Sequence, residues 1–101
     1  NNVWPVLPLE IIRAESGFNL KAKNASSTAS GPAQFTDGTF KGFCIDKYQL
    51  TDTMADKNNP YIQIECHIKM LADGGVSHWN ASKDKWYPRV YTKKYKPADF
   101  G

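Results

Sequence analysis

The chain has 101 residues, of which 41% are hydrophobic and 13% aromatic, and its formal net charge is +3. This length predicts one compact domain with a single core, and no apolar run approaches the roughly 20 residues of a membrane-spanning helix. The modest positive charge suits a polyanionic partner but is too small to indicate a nucleic-acid-binding protein. No signal-peptide pattern is present, and the start at Asn1 without a Met favours processing from something longer.

The first predicted element is a helix in the run VWPVLPLEIIRAESG. Pro8 suits the first helical turn, and Leu9, Ile11 and Ile12 form an apolar stripe. Gly17 then ends the run, so the helix closes just after an isolated acid.

A loop and a second helix follow. The run FNLKAKNASSTASGPAQF is rich in Ser, Asn and Gly, which predicts an irregular loop with at most a small hairpin over 19–35. The run TDGTFKGFCIDKYQL predicts a helix, because Phe40, Phe43 and Cys44 are three and four residues apart and share one face.

The segment 59–75 carries two conflicting patterns. Strict alternation of apolar and polar residues from Ile62 to Met70 is typical of a strand. However, Asn59 is a good N-cap, Pro60 suits the first helical position, and a glycine pair follows the segment. We favour a helix over 59–73.

The last quarter predicts little regular structure. SHWNASKDKWYP is interpreted as a polar loop carrying Trp79 and Trp86, and residues 87–101, where aromatic and basic residues alternate, as a C-terminal arm. His67 and His78 are predicted to lie at the surface, and no spacing typical of a zinc site includes them. We therefore predict neither a metal nor a cofactor.

Cys44 and Cys66 are the two cysteines of the chain. Such a pair is compatible with one disulfide, with two buried thiols, or with neither. Because each cysteine lies on an apolar face of neighbouring predicted helices, we expect their Cα atoms to be within the ~7 Å that a disulfide requires.

The run from Glu15 to Phe35, ESGFNLKAKNASSTASGPAQF, resembles the bacterial and phage lytic transglycosylase and lysozyme-like superfamily. Its E-S-G-F-N opening is followed by the pattern S-x-A-x-G-x-x-Q, whose four positions here are Ser27, Ala29, Gly31 and Gln34. Three later runs resemble elements of the family more weakly. TDGTF resembles the start of a helix, and SHWNASKDKW resembles a closing loop. NPYIQIECHIKMLADGG, which contains Gln63, resembles the helix between them. The resemblance covers roughly residues 4–86.

This resemblance implies an α+β, mainly α, lysozyme-like fold over residues 1–101 as a single domain. It implies an enzyme that cleaves the β-1,4 bond between N-acetylmuramic acid and N-acetylglucosamine in peptidoglycan, with Glu15 as the catalytic acid and base. Gln34 would hydrogen-bond the sugar, Ser27 would line the cleft, and Trp79 would stack on a sugar ring. Structural roles are equally compatible with these three residues, in the loop backbone or in the core.

The chemistry of Glu15 agrees with that role. Protonating a glycosidic oxygen requires a carboxylic acid that is still protonated near neutral pH, and burial against apolar groups raises a carboxyl pKa. Ile11 and Ile12 lie one helical turn before Glu15 and can supply such a wall. A solvated charge near the helix end is the simpler alternative.

A second carboxylate, which glycosidases normally need, is not evident. Asp37 is the best candidate, although it can equally cap the second helix. In lytic transglycosylases the N-acetyl group or 6-hydroxyl of the substrate takes over this role, which fits one acid without excluding hydrolysis. In the WNAS run, aligned with the Y-N-A-G motif of the family, Trp79 would replace a tyrosine whose hydroxyl assists Glu15.

The predicted protein is thus a monomer outside the cytoplasm that acts on peptidoglycan strands, either free or within a larger protein or assembly. It is predicted to bind no nucleic acid and to span no membrane. A catalytically silent glycan-binding module on the same fold is one alternative. An interaction domain that uses the basic aromatic tail from Trp86 to Lys96 is another.

Overall fold

Helices account for most of the residues from 4 to 91, which are those that the computed structural model describes. Over residues 4–91 the α-helices are α1 (Val6–Ser16), α2 (Asp37–Thr39), α3 (Pro60–Ala72) and α4 (Lys83–Val90). A π-helix (Phe40–Lys47) continues α2, and two 3-10 helices (Met54–Asn58 and Val76–Ser82) precede α3 and α4. The mainly helical prediction is confirmed. None of the helices between residues 4 and 91 has the length and apolar character needed to cross a bilayer.

The core lies between α1, α3, the π-helix and α4. Its fully buried side chains include Ile11 from α1, Phe40 and Cys44 from the π-helix, and Val90 from α4. Burial of such residues is the main favourable contribution to folding. Helix α1 therefore has one face fixed in the core, which determines where its last turn lies.

The conflict over residues 59–75 is resolved as a helix. The Asn59 side chain accepts a hydrogen bond from the Tyr61 backbone N–H, and Pro60 occupies the first turn, as the capping residues predicted. The alternating pattern is incidental, because Gln63 and His67, which it assigned to the polar face, are both fully buried. The surface prediction for His67 is therefore wrong, whereas His78 is exposed.

The second predicted helix is present and is mostly a π-helix, a form that the sequence pattern did not indicate. After the single α-turn Asp37–Thr39, the chain winds as a π-helix, and the Tyr48 N–H donates to the carbonyl of Phe43, five residues earlier. Phe40 and Cys44 are both fully buried in the core, on one face of this helix, as their spacing predicted.

Cys44 and Cys66 form a disulfide with a Cα–Cα distance of 5.5 Å, as predicted. It joins the π-helix to α3 and closes a loop with a sequence separation of 22 residues. By loop-closure entropy such a bond stabilises the fold by roughly 3 kcal/mol.

The prediction of a polar loop around Trp79 and Trp86 is wrong. The segment forms the 3-10 helix Val76–Ser82 and then α4. Both indole rings are buried, and the Trp86 Nε1–H donates to the carbonyl of Trp79 at 3.0 Å. Burial of two large aromatic rings therefore orders a segment whose sequence is mostly polar.

The predicted C-terminal arm over 87–101 begins inside α4. Tyr87 to Val90 form the end of this helix, and Val90 is fully buried, so these residues belong to the domain. Residues 92–101 of the predicted arm lie outside the described residues.

Candidate functional site

Glu15 lies in the last turn of α1, where the helix ends abruptly. Gly17 adopts the left-handed conformation, with φ of 61°, and its N–H donates to the carbonyl of Arg13. One turn before Glu15, Ile11 and Ile12 are buried in the core. The Glu15 side chain is consequently half-buried, beside apolar groups but not enclosed by them.

Ser82 is the hydrogen-bond partner of Glu15 within the described part of the chain. Its hydroxyl, at the end of the 3-10 helix Val76–Ser82, donates to Glu15 Oε2 at 2.5 Å. The same hydroxyl lies 3.3 Å from the carbonyl oxygen of Trp79. Since a hydroxyl carries one proton, it can donate to only one of these two acceptors at a time.

The pKa of the Glu15 carboxyl is raised above its ordinary value. Burial is the largest cause, because it disfavours the charged form. The Ser82 hydrogen bond and the positive charge of Lys85 oppose this effect in part. The arrangement keeps the acid protonated to a higher pH while providing a donor that stabilises its ionised form.

Sequence reasoning missed Ser82. The WNAS alignment predicted that position 79 takes the place of a tyrosine whose hydroxyl assists Glu15. The structure supplies a hydroxyl to Glu15 from three residues later, in the final position of the same four-residue run. The motif therefore indicated the segment that contacts Glu15 but not the residue that does so.

Trp79 does not line an open groove. The side chain is only 4% exposed, and its Nε1–H donates to the carbonyl of Ala33 at 3.0 Å. The ring also packs edge-on against His67, with centroids 4.4 Å apart. The predicted stacking on a sugar ring is therefore wrong for this conformation, and Trp79 connects the 3-10 helix to the loop that precedes α2.

Ser27 and Gln34 both hydrogen-bond the loop to which they belong. The Ser27 hydroxyl accepts from the N–H of Ala29, a local turn at the surface. The Gln34 amide donates to the carbonyls of Ala22 and Gly31, at 3.2 and 2.9 Å, and its φ is 55°. Their predicted contacts with a glycan stay predictions, beside the structural roles that these bonds define.

Gln63 holds this loop against α3. Its side chain accepts from the Ala33 N–H and donates to the carbonyls of Ser30 and Lys57. Gly31 packs so closely that a Cβ there would lie 2.2 Å from Gln63 Nε2. Glycine is therefore required at this position of the S-x-A-x-G-x-x-Q pattern by contact with Gln63.

Asp37, the candidate second carboxylate, is engaged in an ion pair. Its Oδ1 lies 3.2 Å from Nζ of Lys57, and this ammonium also donates to the Thr28 carbonyl and the Ser30 hydroxyl. The N-cap of α2 is Thr36, not Asp37. Through Lys57, Asp37 thus connects the start of α2 to the loop. Its negative charge also interacts favourably with the positive end of the helix dipole.

An open groove of about 260 Å³ runs beside the loop. Its lining is mixed apolar and basic, and comprises Leu20, Lys21, Ala22, Lys23, Ser30, Gly31, Lys57 and Asn58. Between residues 4 and 91, no group of three or more His, Cys, Asp or Glu side chains is arranged to hold a metal ion.

One comparison with known proteins gives a match. The family model of the transglycosylase SLT domain matches residues 1–86, which is most of the chain. No curated protein and no solved structure matches. The match covers Glu15, the loop, Gln63 and Ser82.

Proposed function

The chain belongs to the transglycosylase SLT domain family, which has a lysozyme-like, mainly α fold and acts on peptidoglycan. From this membership we propose that it cleaves the β-1,4 bond between N-acetylmuramic acid and N-acetylglucosamine, with Glu15 as general acid and then general base. The observation that carries the proposal is the half-buried Glu15 carboxyl, whose raised pKa and Ser82 partner suit proton transfer in both directions.

In the first step Glu15 donates its proton to the glycosidic oxygen, and the bond from the muramic acid C1 to that oxygen breaks. The leaving hydroxyl is poor unless it is protonated, so the acid must hold its proton near neutral pH. Burial at the end of α1 supports this requirement.

The Ser82 hydroxyl suits both charge states of Glu15. While Glu15 is protonated, the Ser82 O–H can donate to the Trp79 carbonyl, which lies 3.3 Å away. Once Glu15 has lost its proton, the O–H can turn to donate to Oε2. Hydrogen bonds to charged acceptors are stronger than neutral ones, so this rotation stabilises the carboxylate formed by the first step.

In the second step the Glu15 carboxylate accepts the proton of the muramic acid 6-hydroxyl while the 6-oxygen bonds to C1. The product is a 1,6-anhydro sugar, no water is consumed, and Glu15 returns to its protonated form. This route needs no second protein carboxylate, which is consistent with the ion pair between Asp37 and Lys57. The proposed site of action is outside the cytoplasm, where peptidoglycan lies.

Glu15→Gln tests the proposal. The amide keeps the shape of the side chain and removes the acid, so we expect cell-wall clearing to fall by about 10⁴-fold or more, with folding intact. Glu65→Gln, at an exposed position of α3, is the matched control and should clear walls like the parent. If Glu15→Gln retains the parental rate, Glu15 is not the acid and another residue must supply the proton. If the parent itself clears no walls, glycan binding without cleavage becomes the better description.

The products decide between lyase and hydrolase. Mass analysis of the muropeptides released by the parent should show 1,6-anhydro ends. Reducing ends would instead mean that water attacks C1, and the proposed second step would then be wrong while the role of Glu15 as acid would stand.

A further inference from the structure

A second groove lies between α1 and α4, beside the Glu15 end of α1. It has a volume of about 480 Å³, and the residues that line it are Glu10, Arg13, Ala14, Lys85 and Arg89. This volume falls within the roughly 300–1,000 Å³ range of small-molecule sites. Ala14 directly precedes Glu15, and the charge of Lys85 acts on Glu15, so the groove adjoins the proposed acid.

Glu10 lies in the wall of this groove and is only 6% exposed. Its Oε1 is buried and has no hydrogen-bond partner in the described part of the chain. The Nε of Arg13 is 3.7 Å from this oxygen, which is an ion pair but too long for a hydrogen bond. A buried carboxylate oxygen without a donor is costly, so this position suits an N–H group from a ligand.

The remaining charged groups of the groove are positive. Lys85 and Arg89 lie one helical turn apart on α4, and Arg13 faces the groove from α1. All three side chains belong to exposed residues and can reach a ligand. Three positive charges against one carboxylate suit an anion, and guanidinium groups pair readily with carboxylates.

We propose that this groove binds an amino-acid group that carries both an ammonium and a carboxylate, with the ammonium at Glu10 and the carboxylate at Lys85 and Arg89. Resting on the proposed function, the ligand is the free end of a diamino acid in the peptide attached to muramic acid. The groove would thus favour strands whose peptides are not crosslinked, because crosslinking converts the ammonium to an amide.

The test measures binding without cleavage. In the full chain carrying Glu15→Gln, NMR titrations with meso-diaminopimelate, its N,N′-diacetyl derivative and pimelate test the ammonium, because all three ligands keep the carboxylates and the first alone keeps the ammonium groups. We expect meso-diaminopimelate to shift the backbone amide resonances of α1 and α4. It should bind about tenfold more tightly than either analogue, which is the difference expected for one charge-assisted hydrogen bond. Equal affinities would overturn the ammonium site, and shifts confined to other elements would overturn the groove.

Two variants assign the charges. Glu10→Gln should abolish the tenfold preference for the ligand that carries the ammonium. Arg89→Gln should lower the affinity for both meso-diaminopimelate and pimelate by a similar factor of about ten. Lys83→Gln removes a charge from α4 outside the groove and should change neither affinity. Arg89 is exposed, so its variant keeps the test decisive even if Glu10→Gln does not fold. Unchanged affinities in Arg89→Gln would overturn the proposal, whatever Glu15 proves to do.

Discussion

The loop over 19–35 follows α1 in the chain, and the 3-10 helix Val76–Ser82 contacts the last turn of α1 through Ser82. The two regions contribute differently to the candidate site. In the loop, polar side chains bond the loop itself, as Gln34 does to two carbonyls, and Gln63 holds the loop from outside. In the 3-10 helix, the Ser82 hydroxyl lies near the Trp79 carbonyl of its own segment and also reaches Glu15 on α1. The loop carries the more specific sequence motif, and the helix carries the group that contacts the acid.

This difference shows that the S-x-A-x-G-x-x-Q motif determines the conformation and packing of the loop. Gly31 and Gln34 both have positive φ, which glycine favours and glutamine rarely adopts, and Gly31 packs against Gln63 of α3. Trp79 then joins the two regions, because its indole donates to Ala33 of the loop while its carbonyl accepts from Trp86. Substitutions in the loop should therefore reduce stability, whereas substitution of Ser82 should change the chemistry.

Gly31→Ala should have the largest effect. The added Cβ would overlap Gln63 Nε2, and the φ of 84° is unfavourable for alanine. Strain costs about 1–2 kcal/mol and overpacking about 1–3 kcal/mol, so the free energy of unfolding should fall by up to about 5 kcal/mol. Denaturant unfolding with the disulfide intact measures the loss.

Gly38→Ala is the matched control for that substitution. Its Cβ would meet no atom within 4 Å, and its backbone needs no positive φ. Its stability should stay within about 1 kcal/mol of the parent. Equal losses in the two variants would show that contact with Gln63 is not what Gly31 provides.

Lowering the pH should have the next largest effect on the free energy of unfolding, through the buried His67 that packs against Trp79. Burial lowers the pKa of His67 from 6.5 to about 4, opposed in part by the Pro8 carbonyl. The unfolded state then binds the proton more readily than the folded state. The stability that the neutral imidazole gives is therefore complete above about pH 6.5 and is lost as pH falls towards about 4, in total about 3 kcal/mol.

Comparison of the parent with His67→Gln isolates this term, because other groups also titrate in the same range. The parent should lose about 3 kcal/mol more than the variant between pH 7 and pH 4 in chemical unfolding. His78→Gln, at an exposed position, should retain the parental pH dependence. Parallel curves for the parent and His67→Gln would contradict the prediction.

Much of the fold could be read from local sequence signals. The start of α3 follows from Asn59 and Pro60, and the end of α1 from Gly17, because capping depends on residues close in sequence. The pairing of Cys44 with Cys66 also followed once both lay on apolar helix faces. By contrast, α4 was missed because its polar sequence is ordered by two buried tryptophans, which is a long-range effect.

The candidate site was less predictable than the fold. Glu15 could be proposed as the acid because its motif is local, and the raised pKa agrees with the apolar residues one turn earlier. Ser82 is 67 residues away in sequence, so its contact with Glu15 depends on how α1 packs against the last quarter of the chain. The buried position of Trp79 has the same origin, since ring burial cannot be told from sugar stacking by composition alone.

Ser82→Ala sharpens the contrast between the two regions. Without the hydroxyl, the Glu15 carboxylate loses its donor, so its pKa should rise further above the ordinary value. The alkaline limb of the pH–rate profile, which reports loss of the catalytic proton, should move to higher pH. Wall-clearing activity at the optimum should fall about tenfold, the equivalent of about 1.4 kcal/mol for one bond to a charged group.

Ser77→Ala controls for the loss of a serine from the same short helix, because Ser77 is exposed. It should leave both the rate and the pH profile unchanged. A Ser82→Ala profile that coincides with the parental one would show that the hydroxyl does not act on the ionised state of Glu15.

Ser27→Ala has the smallest expected effect and is the most direct test of the loop. The Ser27 hydroxyl closes an exposed turn by accepting from the Ala29 N–H, so its removal should cost less than about 1 kcal/mol of stability. If the residue only shapes the turn, cleavage should change by less than about twofold, since rigidly held Gly31 and Gln34 still define the loop. A tenfold or larger loss of rate at unchanged stability would mean that Ser27 contacts the glycan, as the resemblance implied. The loop would then supply substrate contacts as well as structure, and the contrast with Ser82 would be one of degree.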